Sequence, residues 1–228
     1  MGKNMQTFAV KFTTREDGED PNVLGRFNVL NVRQTRSIAS NFTTREDGED
    51  FKIEGYFAVF NSNYDVGPGM SESIAPGAFS HTLAEDIRAL VNHDTTLVLG
   101  RTSAHTLELR EDERGLWGRI SINPKDTDAM NLYERVKRGD VSQCSFGFEI
   151  VREDTELFED GSVHWTIQEV RLYEVSCCTF PAYENTNISA REAQRDEILK
   201  RELDAWKTKM KERLRKDGTE SNHAEEKN

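Results

Sequence analysis

Alternation with a period of two dominates the middle of the chain. Phe146, Phe148 and Ile150 alternate with Ser145, Gly147 and Glu149, which predicts a strand carrying large side chains on one face and small ones on the other. Cys144 shares the parity of Phe146 and falls on the core side. Alternation or clustered β-branched and aromatic residues predict further strands over about 52–60, 87–94, 106–109, 116–122, 148–158, 163–170 and 171–180. The charged stretch Glu111–Gly115 and the pair Asp160-Gly161 read as hairpin turns. Pro76-Gly77-Ala78-Phe79 opens a helical turn through about Leu83. One body segment follows the helical period: Ala129, Leu132, Tyr133 and Val136, with Asp126 or Thr127 to cap it and Gly139 to end it. These elements predict an α+β fold with a mostly antiparallel β core.

The ends differ from this body. Phe12–Asp20 and Phe42–Asp50 carry the same nine residues at an offset of 30, too short and too polar for a solenoid, so residues 1–50 read as a mobile acidic arm. Residues 51–189 form the expected catalytic body. In 190–216, Leu199, Leu203, Trp206, Met210 and Leu214 make a narrow apolar stripe on a basic helix, ten Lys and Arg against six Asp and Glu across 191–216. Residues 217–228 are polar and are expected to be disordered.

The net charge of −11 argues against nucleic acid as a specific partner of the body. No run approaches the roughly 20 apolar residues of a membrane span, so a soluble intracellular protein without a membrane partner is expected. Three cysteines, two of them adjacent, fit neither a disulfide framework nor a zinc site. Neither His-Glu-x-x-His nor a phosphate-binding glycine loop occurs, and no cofactor is expected.

Ser145 is the candidate nucleophile, with Gly147 on the same face leaving room for a peptide backbone to approach. A serine hydroxyl needs a base, and the base needs a third group to hold it. His93 ends the 87–94 strand on the parity of Ile87, Ala89 and Val91, where packing would hold it. Glu174 falls in register with Val170 and Leu172, and a carboxylate on an apolar face calls for a partner such as histidine. Ser142, Cys144 and Cys177 are other candidate nucleophiles, and Asp94, His81, His105 and His164 other candidate partners. His223 lies in the tail.

The stretches Gly55–Asn61, Pro76–Phe79, Leu90–Asp94 with Leu99–Arg101, Arg138–Phe148, and Leu172–Ser176 ending in Phe180–Tyr183 together resemble the prohead proteases of tailed phages. The resemblance implies a serine endopeptidase with a fold similar to herpesvirus assembly proteases, a β core or barrel ringed by helices. It maps the catalytic pair onto His93 and Ser145. Glu174 departs from the second histidine of the herpesvirus enzymes. The resemblance further implies the scaffold and major capsid proteins as substrates, self-cleavage, a possible homodimer, and a place in the host cytoplasm inside the assembling procapsid. The rival reading is a catalytically silent β-rich capsid-assembly or scaffold module.

Overall fold

Asp160 and Gly161 turn the chain as their residue types require. Gly161 takes a left-handed φ of 78°, and the Asp160 carboxylate accepts from the Ser162 amide at 2.9 Å. The computed structural model describes residues 10–13, 33–39, 42–48, 50–180 and 185–225. Its strands are β1 (Val10–Thr13), β2 (Gln34–Ala39), β3 (Thr43–Asp47), β4 (Asp50–Val59), β5 (Tyr64–Gly67), β6 (Met70–Ile74), β7 (Arg88–Val91), β8 (Asp94–Arg101), β9 (Leu107–Glu111), β10 (Gly115–Ile122), β11 (Gln143–Leu157) and β12 (Val163–Cys178). Its helices are α1 (Thr127–Arg138) and α2 (Asn185–Glu225). The Asp160-Gly161 turn joins β11 to β12, the two longest strands.

That hairpin is the spine of an eight-stranded sheet, in which β1 and β2 pair with opposite ends of β11 while β6 and β7 pair with opposite ends of β12. The segment between β6 and β7 fills the remaining gap: Val170 donates to the Ala78 carbonyl at 3.0 Å, and Leu172 donates to the Thr82 hydroxyl at 3.0 Å. The helical turn expected at Pro76–Leu83 is thus a series of tight turns locked onto β12. A second sheet runs β3-β4-β10-β9.

The aromatic face of β11 packs between the sheets. Phe146 stacks on Phe148 at 4.8 Å and meets Phe79 edge-on at 5.5 Å, with Phe57, Leu116 and Ile120 buried across from them. Each such side chain contributes about 1.5–3 kcal/mol by leaving water. Helix α1 closes the second sheet, its Tyr133 edge-on to Phe51 at 5.2 Å. Its ends follow from the sequence: the Asp126 side chain accepts from the Asp128 and Ala129 amides, and Gly139 takes φ 87°.

The α+β class holds, and most strand pairs are antiparallel, with β6 and β7 running parallel to β12. The barrel does not. Among the described residues, the two ends of the large sheet, β5 and the β1/β2 side, do not pair with each other, so neither sheet closes into a barrel. Two α-helices among the described residues replace the expected ring.

Residues 34–39 and 43–47, expected within a mobile arm, are strands of different sheets. The nine-residue repeat also splits: its second copy forms β3 and turns at Gly48 into β4, while the described start of its first copy, Phe12-Thr13, pairs with β11. Helix α2 starts at Asn185 and runs through Glu225, across residues expected to be disordered. Its first half is anchored, with Arg191 and Ile198 buried, while Leu203, Trp206 and Leu214 stand exposed. No described helix is long and apolar enough to cross a membrane.

Candidate active site

Residues directly opposite in an antiparallel ladder share a face. Ser145 lies opposite Ser176, and Gly147 lies opposite Glu174, so all four residues look out from the face away from the stacked phenylalanines. The register then slips: Phe148 faces Leu172, which leaves Tyr173 as an extra residue in β12. This bulge is why simple parity misplaces Glu174. Counting in twos puts it with Val170 and Leu172 in the core; the bulge turns it to the side of Ser145.

Glu174 is nearly fully buried and doubly held. Its Oε1 accepts from His93 Nδ1 at 2.7 Å, and its Oε2 accepts from the Ser176 hydroxyl at 2.7 Å. Ser176 in turn accepts from the His93 amide at 3.2 Å. It fixes both partners of the pair, a role that sequence reading missed. The space above Gly147, expected to admit a substrate, belongs to Glu174: a Cβ at this position would collide with the carboxylate.

His93 is not the end of a strand. Asn92 and His93 have φ of 49° and 62° and form the tight turn between β7 and β8. Parity carried the expected strand three residues too far, because a two-residue turn with positive φ prefers Asn at its first position and tolerates His. The ring is therefore held by hydrogen bonds and not by packing, and its side chain is 21% exposed. It borders a cleft of about 350 Å³ lined by Asn92, His93, Cys178, Thr179 and Phe180.

Burial pushes the imidazole towards its neutral form, but hydrogen bonds with Cys178 and Glu174, together with the Glu174 charge, outweigh it. His93 is lifted from 6.5 to about 10. At neutral pH the resting ring therefore carries both protons. Its Nε2 faces the Cys178 sulfur at 3.9 Å. Ser145 is fully buried, and its hydroxyl donates to the Arg36 carbonyl on β2 at 2.9 Å. Serine and histidine thus share a face, each engaged by another partner.

The other candidates separate. Cys144 is buried among the aromatics and donates to the Tyr56 carbonyl at 3.0 Å. Cys177 is buried with its thiol pushed up by desolvation, which makes it inert. Ser142, His81 and His105 are exposed, and Asp94 accepts from the Thr96 amide and hydroxyl. His164 lies between Ser71 and Ser73 on β6. The side chain of His223 lies outside the described residues. Among the described residues, no group of three or more His, Cys, Asp or Glu could hold a metal ion.

Residues 40–201 match the model of the caudovirus prohead serine protease family. The chain belongs to that family. The match covers β3 through the first half of α2, and β2 lies before it. The chain is 33% identical over 137 residues to the prohead protease of Enterobacteria phage HK97, an alignment covering 58% of each protein. The chain therefore spans little more than half the length of that relative. Among solved structures it is similar to the bacteriophage T4 capsid assembly protease, at 11% identity and a TM-score of 0.43, over 65% of this chain and 98% of that one.

Proposed function

We propose that the protein is a serine endopeptidase of procapsid maturation, cutting scaffold or capsid protein and its own chain. Ser145 is the nucleophile, His93 the general base and Glu174 the group that holds the base. The observation that carries this reading is the 2.7 Å bond from His93 Nδ1 to Glu174, made on the face of β11–β12 that bears Ser145. Glu174 fixes the ring and stabilises the imidazolium as it forms.

In the reaction the Ser145 hydroxyl turns from its carbonyl partner to His93 Nε2 and gives up its proton as its oxygen attacks the scissile carbonyl carbon. The carbon–nitrogen bond then breaks, and His93 passes the proton to the leaving amine. A water molecule, activated by the same ring, hydrolyses the acyl-enzyme. Only the neutral ring can start this sequence, so kcat/KM rises with pH as His93 loses its proton. Family membership supports the procapsid setting and its host-cell location, and a herpesvirus-protease-like ancestry of the sheet is part of the same reading.

One observation favours a second reading, in which Cys178 is the nucleophile: its sulfur is the group that His93 Nε2 meets at 3.9 Å. Casein cleavage by Ser145→Ala, Cys178→Ala and wild type tests the choice. Loss with Ser145→Ala alone supports the serine enzyme. Loss with Cys178→Ala alone, together with inactivation of wild type by iodoacetamide, supports the thiol. A chain that is silent in all forms, and is not labelled at Ser145 by a fluorophosphonate, is an assembly module.

A further inference from the structure

Strand β2 is an unexpected partner for β11. Its six residues include one large apolar side chain, Ile38, and they lie outside the 40–201 span that matches the family. Yet Gln34, Thr35 and Arg36 are buried, and the strand runs antiparallel along β11 with Ser37 opposite Ser145. An extended peptide added to the edge of a sheet binds in this manner. Of the carbonyls in β2, that of Arg36 accepts from the Ser145 hydroxyl.

The Arg36 side chain enters a built acidic site on the opposite face. Its Nε donates to Glu72 Oε1, and one terminal nitrogen donates to Glu72 Oε2 and to the Gln34 side chain, each at 2.9 Å. The other terminal nitrogen donates to the Thr35 carbonyl at 2.9 Å, and the guanidinium lies 5.6 Å from the Phe148 ring centre. This is the forked geometry that a planar guanidinium makes with a carboxylate.

Behind Glu72 the cluster continues into α2. Arg191 donates to Glu72 at 3.1 Å, to the two Glu153 oxygens at 3.0 and 2.8 Å, and stacks over Trp165 at 4.6 Å. Among the described residues, the family's domain brings Glu72, Glu153 and Arg191 together here. Arg36 adds a second cation. Without it Glu72, almost out of contact with water, loses its forked partner, a cost large enough to favour another cation in that place.

We infer that the Glu72 pocket is the specificity subsite, selecting an arginine or lysine immediately before the cut bond, and that β2 occupies it as the chain's own ligand. The inference rests on the serine endopeptidase reading. The Ser145 oxygen would bond to the carbonyl carbon of the basic residue, its proton passing to His93 and on to the amine that leaves as the carbon–nitrogen bond breaks. In β2 that bond is Arg36–Ser37. In the structure Ser145 donates to the carbonyl oxygen and His93 faces Cys178, so β2 rests there uncut.

The test uses quenched fluorescent octapeptides copying residues 33–40, with Arg, Lys, Ala or Glu at the position of Arg36. They are assayed on full-length wild type, Arg36→Ala and Glu72→Gln, with casein as an unselective substrate. The inference expects kcat/KM for the Arg and Lys peptides about 100-fold above Ala and Glu, because a buried charge partner strongly rejects a substrate that lacks the matching group. Arg36→Ala, which loosens β2, raises the rate on the Arg peptide. Glu72→Gln cuts the preference for Arg over Ala to a few-fold. Equal rates on all four peptides, with casein cut, overturn the subsite and leave the protease standing; this comparison needs no variant to fold. Silence towards casein and fluorophosphonate overturns both.

Discussion

Glu174 and Glu72 are both carboxylates about 1% exposed in one sheet, yet their partners differ in kind. Glu174 bonds to His93, a group that can take up and release a proton at the edge of a cleft, while the half-exposed Arg33 guanidinium comes no nearer than 3.8 Å. Glu72 is bonded by Arg36 and Arg191, which stay charged at any working pH. Burial alone would raise Glu72, but the two guanidinium groups outweigh it and hold its pKa down at about 2. A buried carboxylate facing a titratable partner can drive chemistry; one facing permanent cations can only fix structure or recognise charge. Replacing each should therefore damage different things.

The largest expected effect is on Glu174. Glu174→Gln keeps the shape but loses the charge that holds and stabilises the imidazolium, and kcat should fall about 10³–10⁴-fold, as when the carboxylate of a serine-protease triad is made an amide. Circular dichroism should show a folded protein. A fall of less than ten-fold would place Glu174 outside the chemistry.

Glu72→Gln should instead be felt in stability. Removing one partner of a buried ion cluster costs about 3–5 kcal/mol, which urea unfolding would read as a lower midpoint with an unchanged slope. A variant as stable as wild type would mean that the cluster is not closed in solution.

The two sites also respond to pH with opposite signs. Because Glu72 is held low in the fold, its stabilising contribution is present above the ordinary carboxylate range near 4.5 and is lost as pH falls towards about 2. Arg36→Ala removes one cation, so acid unfolding should move to higher pH. His93 is raised in the fold, so its contribution is complete below 6.5 and is lost as pH rises towards about 10. On the proposed mechanism the same titration sets activity. The alkaline rise in kcat/KM should move to lower pH in Cys178→Ala, which removes one of the groups that lift His93. An unmoved profile would mean that the thiol does not influence the ring.

The smallest effect belongs to the outer half of α2. Trp206 is 58% exposed, and Trp206→Ala should change stability by no more than about 0.5 kcal/mol. A larger loss in urea unfolding would mean that this stripe is covered in solution.

How much of this was legible in the sequence follows from the range of each signal. The helix Thr127–Arg138, the Asp160-Gly161 turn and the two faces of the Ser145 strand are set by neighbours within a few residues, and local pattern carries them. The catalytic candidates His93 and Glu174 were legible as residue types but not in position. One extra residue at Tyr173 and a positive φ at His93 break the period-two count without changing composition.

Strand β2 was not legible at all, and the burial of Arg191 hardly so. A polar hexapeptide offers no alternation of large apolar residues, and a basic residue in a basic helix looks solvated. Their order comes from charges supplied more than thirty residues away, Glu72 for Arg36 and Glu153 for Arg191. A hint for Arg191 was the helical spacing of Arg191, Gln194 and Ile198, the buried positions of α2 among the described side chains.

The central claim is that Ser145 cuts peptide bonds with His93 as its base. Intact-mass spectrometry of purified wild type over time, run beside Ser145→Ala and His93→Ala, tests it most directly. The account predicts that wild type sheds defined fragments while both variants stay whole. Fragments of the same mass released at the same rate from Ser145→Ala would contradict it.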